Sequence, residues 1–173
     1  MRWRRRKKNE PDEPDDHALG RSRGGFSTKI HLVGDAGGIP IHFHLSPGQA
    51  HENTTLEDLL NGIDLEMVAG SGKLVPWPTA IAGDKGYRAE WIDQMLLNIG
   101  VTPVIPSKTN EDRDNRSVEF DKEKYRSRNI IERLIGWLKE CRAVFARFEK
   151  TAINYAGMVK MAFIQRYLRT LSP

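Results

Sequence analysis

Tyr125-Arg126-Ser127-Arg128-Asn129-Ile130-Ile131-Glu132, continuing through Arg133, Leu134, Ile135 and Leu138 to Lys139, carries more of this chain's character than any other segment. Tyr125, Arg128, Glu132 and Lys139 follow one another at helical intervals, so all four project from one stripe of one helix. Ile131, Leu134, Ile135 and Leu138 give that helix an apolar side, and the pattern predicts a helix over about 124–140. A carboxylate bordered by two cations and a phenol suits a site for metal and phosphate. The plainer alternative is a helical ion pair between Arg128 and Glu132, four positions apart.

Around this helix the periodicities alternate between strand and helix. Phe26 to Val33 alternates apolar and polar, Asp35-Ala36-Gly37-Gly38 is turn chemistry, and Ile39 to Leu45 returns as a second strand. A short helix follows from about Thr55 to Gly62, with Glu57 placed as a capping-box acid for Thr54. Thr79 to Ala82 reads as a short buried strand, and 88–98 as a helix with Trp91, Ile92, Met95 and Leu96 inward. Val101 to Ile105 is another strand, 107–122 a polar loop, and about 152–169 a last helix with Ile153, Ala156, Val159, Phe163 and Tyr167 on its buried face. This order indicates an α/β sandwich with a mixed sheet. Residues 1–25 read as a basic, disordered N-terminal segment or linker, and 26–173 as the folded domain.

The 173 residues suffice for one domain with a sizeable core. No apolar run approaches the ~18 residues of a membrane span, and no secretory signal opens the chain. The lone Cys141 excludes an intramolecular disulfide and a Cys-based zinc site, so a reducing compartment is expected. The net charge of +4 conceals a strong asymmetry. Residues 26–121 hold seven cations against fourteen acids, whereas 122–173 hold twelve against four. A basic lobe on an acidic body is compatible with a phosphate-contacting protein that carries a carboxylate site.

Asp84 lies just beyond the Thr79–Ala82 strand, between Gly83 and Gly86. An acid at the carboxyl end of a buried strand is well placed to hold a ligand in a sheet-edge crevice, although Gly-Asp-Lys-Gly is also ordinary turn chemistry. Taken together, a strand-end Asp84 and a helical Glu132 are the kind of pair that holds Mg²⁺ through hard oxygen ligands. Two such ions ~4 Å apart would serve both the attacking and the leaving oxygen of a phosphodiester displacement.

The spacing of Tyr125, Arg128, Glu132 and Lys139 resembles the Tyr-(2)-Arg-(3)-Glu-(6)-Lys signature of bacterial insertion-sequence DDE transposases. Gly83-Asp84-Lys85-Gly86-Tyr87 is similar to their second-acid motif. The segment Gly20 to His31 and the turn Ser46-Pro47-Gly48-Gln49-Ala50-His51 are similar to the insertion sequence four/five type. The resemblance covers about residues 17–170. It implies a ribonuclease H-like fold, a mixed sheet flanked by helices, and an Asp-Asp-Glu active site using Mg²⁺ (or Mn²⁺). On this likeness Asp84 and Glu132 are the second and third acids and the metal ligands. Tyr125, Arg128, Lys139, Arg133 and Lys85 are the DNA-contacting residues. The implied reaction is hydrolysis at the transposon ends, followed by attack of the freed 3′-hydroxyl on target DNA. The implied partners are terminal inverted repeats and target DNA, with a homo-oligomer or an N-terminal reading-frame product as protein partner. The implied location is the bacterial cytoplasm, at the nucleoid.

The chain departs from the family pattern upstream of Phe26. Its acids there, Glu10, Asp12, Glu13, Asp15 and Asp16, follow no apolar strand. The expectation is a C-terminal portion of a transposase, lacking the first strand with its Asp and inactive in strand transfer by itself. It would be a truncated copy or the second frame of an element joined by frameshifting. The alternative is a non-catalytic nucleic-acid-binding or regulatory fragment. A metal nuclease recruiting Asp35 or Glu52 as a further carboxylate is a third reading. His42 and His44 share a strand face and are expected to decorate it. Phe145, Phe148 and Trp91 are expected in the core or an interface.

Overall fold

The computed structural model describes residues 17–63, 76–111 and 116–171. The basic run at 2–8, the acidic stretch 10–16 and the loop around Ser71 lie outside them.

Three antiparallel strands, β1 (Gly20–Ser22), β2 (Gly25–Gly34) and β3 (Pro40–Pro47), form one sheet in the order β1-β2-β3. Gly20–Ser22 thus pairs with Gly25–Ser27, where the composition predicted linker. The β2–β3 turn is built by Asp35, whose Oδ1 accepts from the amides of Gly37 at 2.9 Å and Ile39 at 2.8 Å. Gly38 closes it at φ 81°, a left-handed conformation that suits glycine. A second, parallel sheet pairs β4 (Ala80–Ala82) with β5 (Thr102–Val104), and α2 (Glu90–Asn98) supplies the crossover that parallel pairing requires. Two small sheets therefore stand where one mixed sheet was expected. Side chains link them: Tyr87, after β4, bonds His31 of β2, and Val33 and Ile81 pack on the same core.

Strand alternation makes β2 the wall between two cores. Val33 faces the first, formed by Leu59 and Leu60 of α1 (Leu56–Asn61), Ile92 and Leu96 of α2, and Val101 and Ile105. Ile30 and Leu32 face the second, formed with Leu138, Val144, Tyr155, Val159 and Phe163. Their helices are α4 (Asn129–Glu140), α5 (Arg142–Ala146) and α6 (Ala152–Leu171). At ~0.8 kcal/mol per buried CH₂, each of these aliphatic side chains contributes on the order of 1.5–3 kcal/mol of transfer free energy.

Several local expectations are revised. The Thr54–Glu57 capping box does not form. Glu52–Thr55 makes a 3₁₀ turn ahead of α1, and the Thr54 hydroxyl donates instead to the His51 carbonyl at 2.8 Å. The expected 124–140 helix is two segments, α3 (Lys122–Arg126) and α4. Tight bonds between residues three apart join them, including Arg128 N to Tyr125 O at 3.0 Å and Ile131 N to Arg128 O at 3.0 Å. Ser127 and Asn129, with the β-branched pair Ile130-Ile131, are weak helix formers at that point. The α6 face is rotated from the one expected: Tyr155, Val159, Ala162 and Phe163 are buried, but Ile153 is 74% exposed. Trp91, Phe145 and Phe148 are also largely outside the core.

Candidate active site

Asp84 occupies the turn directly after β4 and caps the 3₁₀ turn Lys85–Tyr87, its Oδ1 accepting from the Gly86 amide at 2.7 Å. The carboxylate is solvent-facing, and its Oδ2 has no hydrogen-bond partner among the described residues. The adjacent Lys85 reaches across to Thr109 Oγ1 at 3.0 Å.

The signature residues meet at the α3–α4 junction. Asp121 caps α3, its Oδ1 accepting from the amides of Glu123 at 3.0 Å and Lys124 at 2.9 Å. This sets Tyr125 one turn before Arg128, whose guanidinium stacks over the Tyr125 ring, 5.2 Å from its centroid. Phe120 backs the same ring edge-on at 5.1 Å. The other end of the guanidinium bonds Glu132 Oε1. The 3₁₀ step keeps right-handed backbone angles, so the stripe survives the break in the helix. The Glu132 side chain stays 58% exposed, and among the described residues its Oε2 has no hydrogen-bond partner. Lys139 is exposed in the last turn of α4, and Arg133, also exposed, is displaced by about 100° around the helix from Glu132.

Tyr125, Arg128 and Glu132 are thus brought together at the α3–α4 junction, and Asp84 is carried by another element, the turn after β4. Both neighbourhoods rest on β2: Tyr87 bonds His31, and Ile131 and Leu134 pack at Gly34, where an added Cβ would lie 3.0 Å from Leu134. Among the described residues no group of three or more His, Cys, Asp or Glu side chains is disposed to hold a metal ion. Asp84 and Glu132 each offer one uncommitted carboxylate oxygen, the hard donor that Mg²⁺ or Mn²⁺ favours. Mg²⁺ is commonly bound by one or two carboxylates together with waters and substrate phosphates. The donor type fits, while protein ligands alone make no closed cage.

Two polar networks went unread in the sequence. The first centres on His31, 4% exposed, with Tyr87 Oη 2.8 Å from Nδ1 and Ser46 Oγ 2.7 Å from Nε2. Burial, reinforced by the neighbouring His44, pulls its pKa below 6.5. Burial likewise drives the Tyr87 phenol far above its ordinary range, and Asp84 and Glu52 push the same way, so it remains a hydroxyl. Burial raises Glu52, but the bond from Lys29, a backbone hydrogen bond and the charges of Lys29 and His31 together outweigh this and hold it below its ordinary value. A histidine in phase with Lys29 and Val33, on the core-facing side of an alternating strand, was the available signal. The second network surrounds Asp93, fully buried. It receives Arg116 Nε at 3.0 Å and Nη2 at 3.3 Å, and Arg88 Nη1 lies 3.0 Å from its Oδ2. Arg116 also donates to the Ile105 carbonyl, tying the start of the 116–121 segment to the end of β5. Single charges in a loop carry no periodicity, which hid this cluster.

What these elements define is a mixed α/β domain that sets carboxylates among cations on a strand-end turn and on a helix. Residues 2–164 match the family model described as Transposase DDE domain, and the chain belongs to that family. It is 29% identical over 135 residues to a protein named as a transposase for insertion sequence element IS402 in Burkholderia cepacia, covering 78% of this chain and 59% of that protein. It is 28% identical over 145 residues to one named as a transposase for IS6501 in Brucella ovis, covering 83% of this chain and 100% of the relative. No solved structure matches.

Proposed function

We propose that this chain supplies catalytic-domain residues of an insertion-sequence transposase acting on DNA ends. The observation that carries the proposal is the family match over residues 2–164, combined with an acid at the end of β4 and a glutamate inside a cationic helix stripe. Asp84 and Glu132 would hold Mg²⁺ or Mn²⁺, which when bound activates the attacking oxygen and stabilises the leaving one. Arg128 is already oriented by the Tyr125 ring and by Glu132, so its remaining donors can grip an end phosphate in the planar manner that arginine favours. Lys139, Arg133 and Lys85 would add point charges along the backbone. A ribonuclease H-like arrangement of the sheets belongs to the same proposal, as does a cytoplasmic, nucleoid location. No described helix is long and apolar enough to cross a membrane.

Family chemistry uses three acids, and two are assigned here. The isolated polypeptide is therefore expected to bind DNA but not to complete strand transfer. The test is fluorescence anisotropy with terminal-repeat DNA over a salt series. Log affinity should fall by about 0.9 per phosphate contact per log unit of salt, and Arg128→Ala or Lys139→Ala should each reduce that slope by about 1. Binding indifferent to both variants removes the stripe from the DNA interface. Mg²⁺-dependent cleavage of the ends by the wild-type chain, lost in Asp84→Ala, would overturn the expected inactivity.

A non-catalytic regulatory role is the second reading. Glu132 is exposed and its Oε1 is committed to Arg128, as a purely DNA-binding surface would permit. On that reading Asp84→Ala leaves both DNA binding and every metal effect unchanged.

A further inference from the structure

The His31 network does more than fill a polar hole, because its partners converge on the turn that carries Asp84. Four segments meet at the imidazole: β2 through His31 itself, β3 through Ser46, the 3₁₀ turn before α1 through Thr55, and the turn after β4 through Tyr87. Thr55 Oγ1 lies 3.2 Å from Nδ1 while donating to the Glu52 carbonyl at 2.9 Å. Two residues before His31 on the same strand face, Lys29 donates to the Ala50 carbonyl at 2.6 Å and to Glu52 Oε1 at 2.7 Å. That fixes the Glu52 side chain over Gly86, where an added Cβ would meet Asp84 Oδ1 at 3.0 Å and Glu52 Oε2 at 3.1 Å. The Gly86 amide is the donor that orients Asp84. The turn is therefore held to β2 by the Tyr87–His31 bond and flanked at Gly86 by Glu52, and the Gly86 amide orients the Asp84 carboxylate within it.

We propose that His31 is a positioning residue for Asp84, acting through the Tyr87 hydroxyl to hold the Gly83–Tyr87 turn against the centre of β2. The proposal rests on Asp84 being an acid of the reaction. His31 itself touches neither substrate nor metal. A neutral ring suits this task, since it can pair one hydroxyl as acceptor and another as donor, and its buried setting favours that form.

Amide hydrogen exchange of the whole chain in Tyr87→Phe tests the proposal. Losing the phenol hydroxyl should speed exchange at Gly86 about five- to tenfold, the worth of one net hydrogen bond, and leave the α2 amides of Leu96 and Asn98 unchanged. A residue that merely stabilises the fold would speed all of them together. Thr55→Val, which loosens the ring without removing Tyr87, should give a smaller acceleration at the same amide and serves if Tyr87→Phe does not fold. Unchanged exchange at Gly86, or equal acceleration everywhere, overturns the positioning role. Mn²⁺ titration of the same proteins separates this from the underlying assignment. If Asp84→Ala leaves Mn²⁺ affinity untouched while Gly86 exchange still responds to Tyr87→Phe, Asp84 is not a metal ligand but the clamp is real. If Tyr87→Phe weakens Mn²⁺ binding in parallel with the exchange, both stand.

Discussion

Replacing Asp93 with alanine removes the buried carboxylate that two arginines share. Asp93 is fully buried, and the Arg88 and Arg116 side chains are 4% and 3% exposed. The variant loses two charge-assisted bonds from Arg116, at 3.0 and 3.3 Å, and the 3.0 Å ion pair with Arg88. Breaking a buried pair by deleting one partner costs about 3–5 kcal/mol, because the remaining charge stays desolvated. Both arginines keep other partners: Arg116 its 2.6 Å bond to the Ile105 carbonyl, and Arg88 its pairs with Glu90 and Glu111. That places the loss near the lower limit, about 3 kcal/mol, or roughly 6–12 °C in thermal midpoint for a chain of this size. Urea unfolding followed by circular dichroism, with Arg116→Met and the double variant completing the cycle, would measure it. A loss under about 1 kcal/mol, or strictly additive single variants, would refute the view that Asp93 anchors the segment after β5.

Acid should destabilise the fold in two stages. The unfolded chain takes up a proton at His31 near pH 6.5 while the buried ring resists it, so stability present above 6.5 is lost as pH falls below it. His42, lowered by burial and by His44, contributes with the same sign. Glu52, held below 4.5, adds a further loss as pH drops past that value. Thermal melts from pH 8 to 4 should show this, with a shallower fall between pH 6.5 and 5 in His31→Gln, whereas an unchanged pH profile in that variant contradicts it. Gly38→Ala should cost about 1–2 kcal/mol, because φ is 81° there and the new methyl would meet only an ordinary 3.5 Å contact with Ile130. Gly38→Asn should be milder, and equal stability of all three proteins by chemical unfolding would show that the turn is not strained.

Much of this was legible because periodicity survives burial on one side. Ile92 and Leu96, Val159 and Phe163, and the β2–β3 hairpin with its Asp35 turn sit close to where spacing put them. The stripe from Tyr125 to Glu132 was legible for the same reason, even though Ser127 and Asn129 weaken the helix between. Residues whose roles depend on partners far away in the chain were not. His31 finds Tyr87 across 56 positions, and Asp93 finds Arg116 across 23. Pairing of Gly20–Ser22 with β2 was hidden by glycine-rich composition, since backbone bonds need no side-chain pattern. The α6 face was misjudged at Ile153 because that helix carries apolar residues on both sides, and only packing chooses between them.

The account depends most on Asp84 and Glu132 serving one metal site when DNA is bound. Fe²⁺ can replace Mg²⁺ at such a centre and, with ascorbate and peroxide, cut the polypeptide beside its ligands. With terminal-repeat DNA present, the account predicts cuts near residue 84 and near residue 132, both suppressed by excess Mg²⁺. Cuts near only one of the two, or near neither, would contradict it.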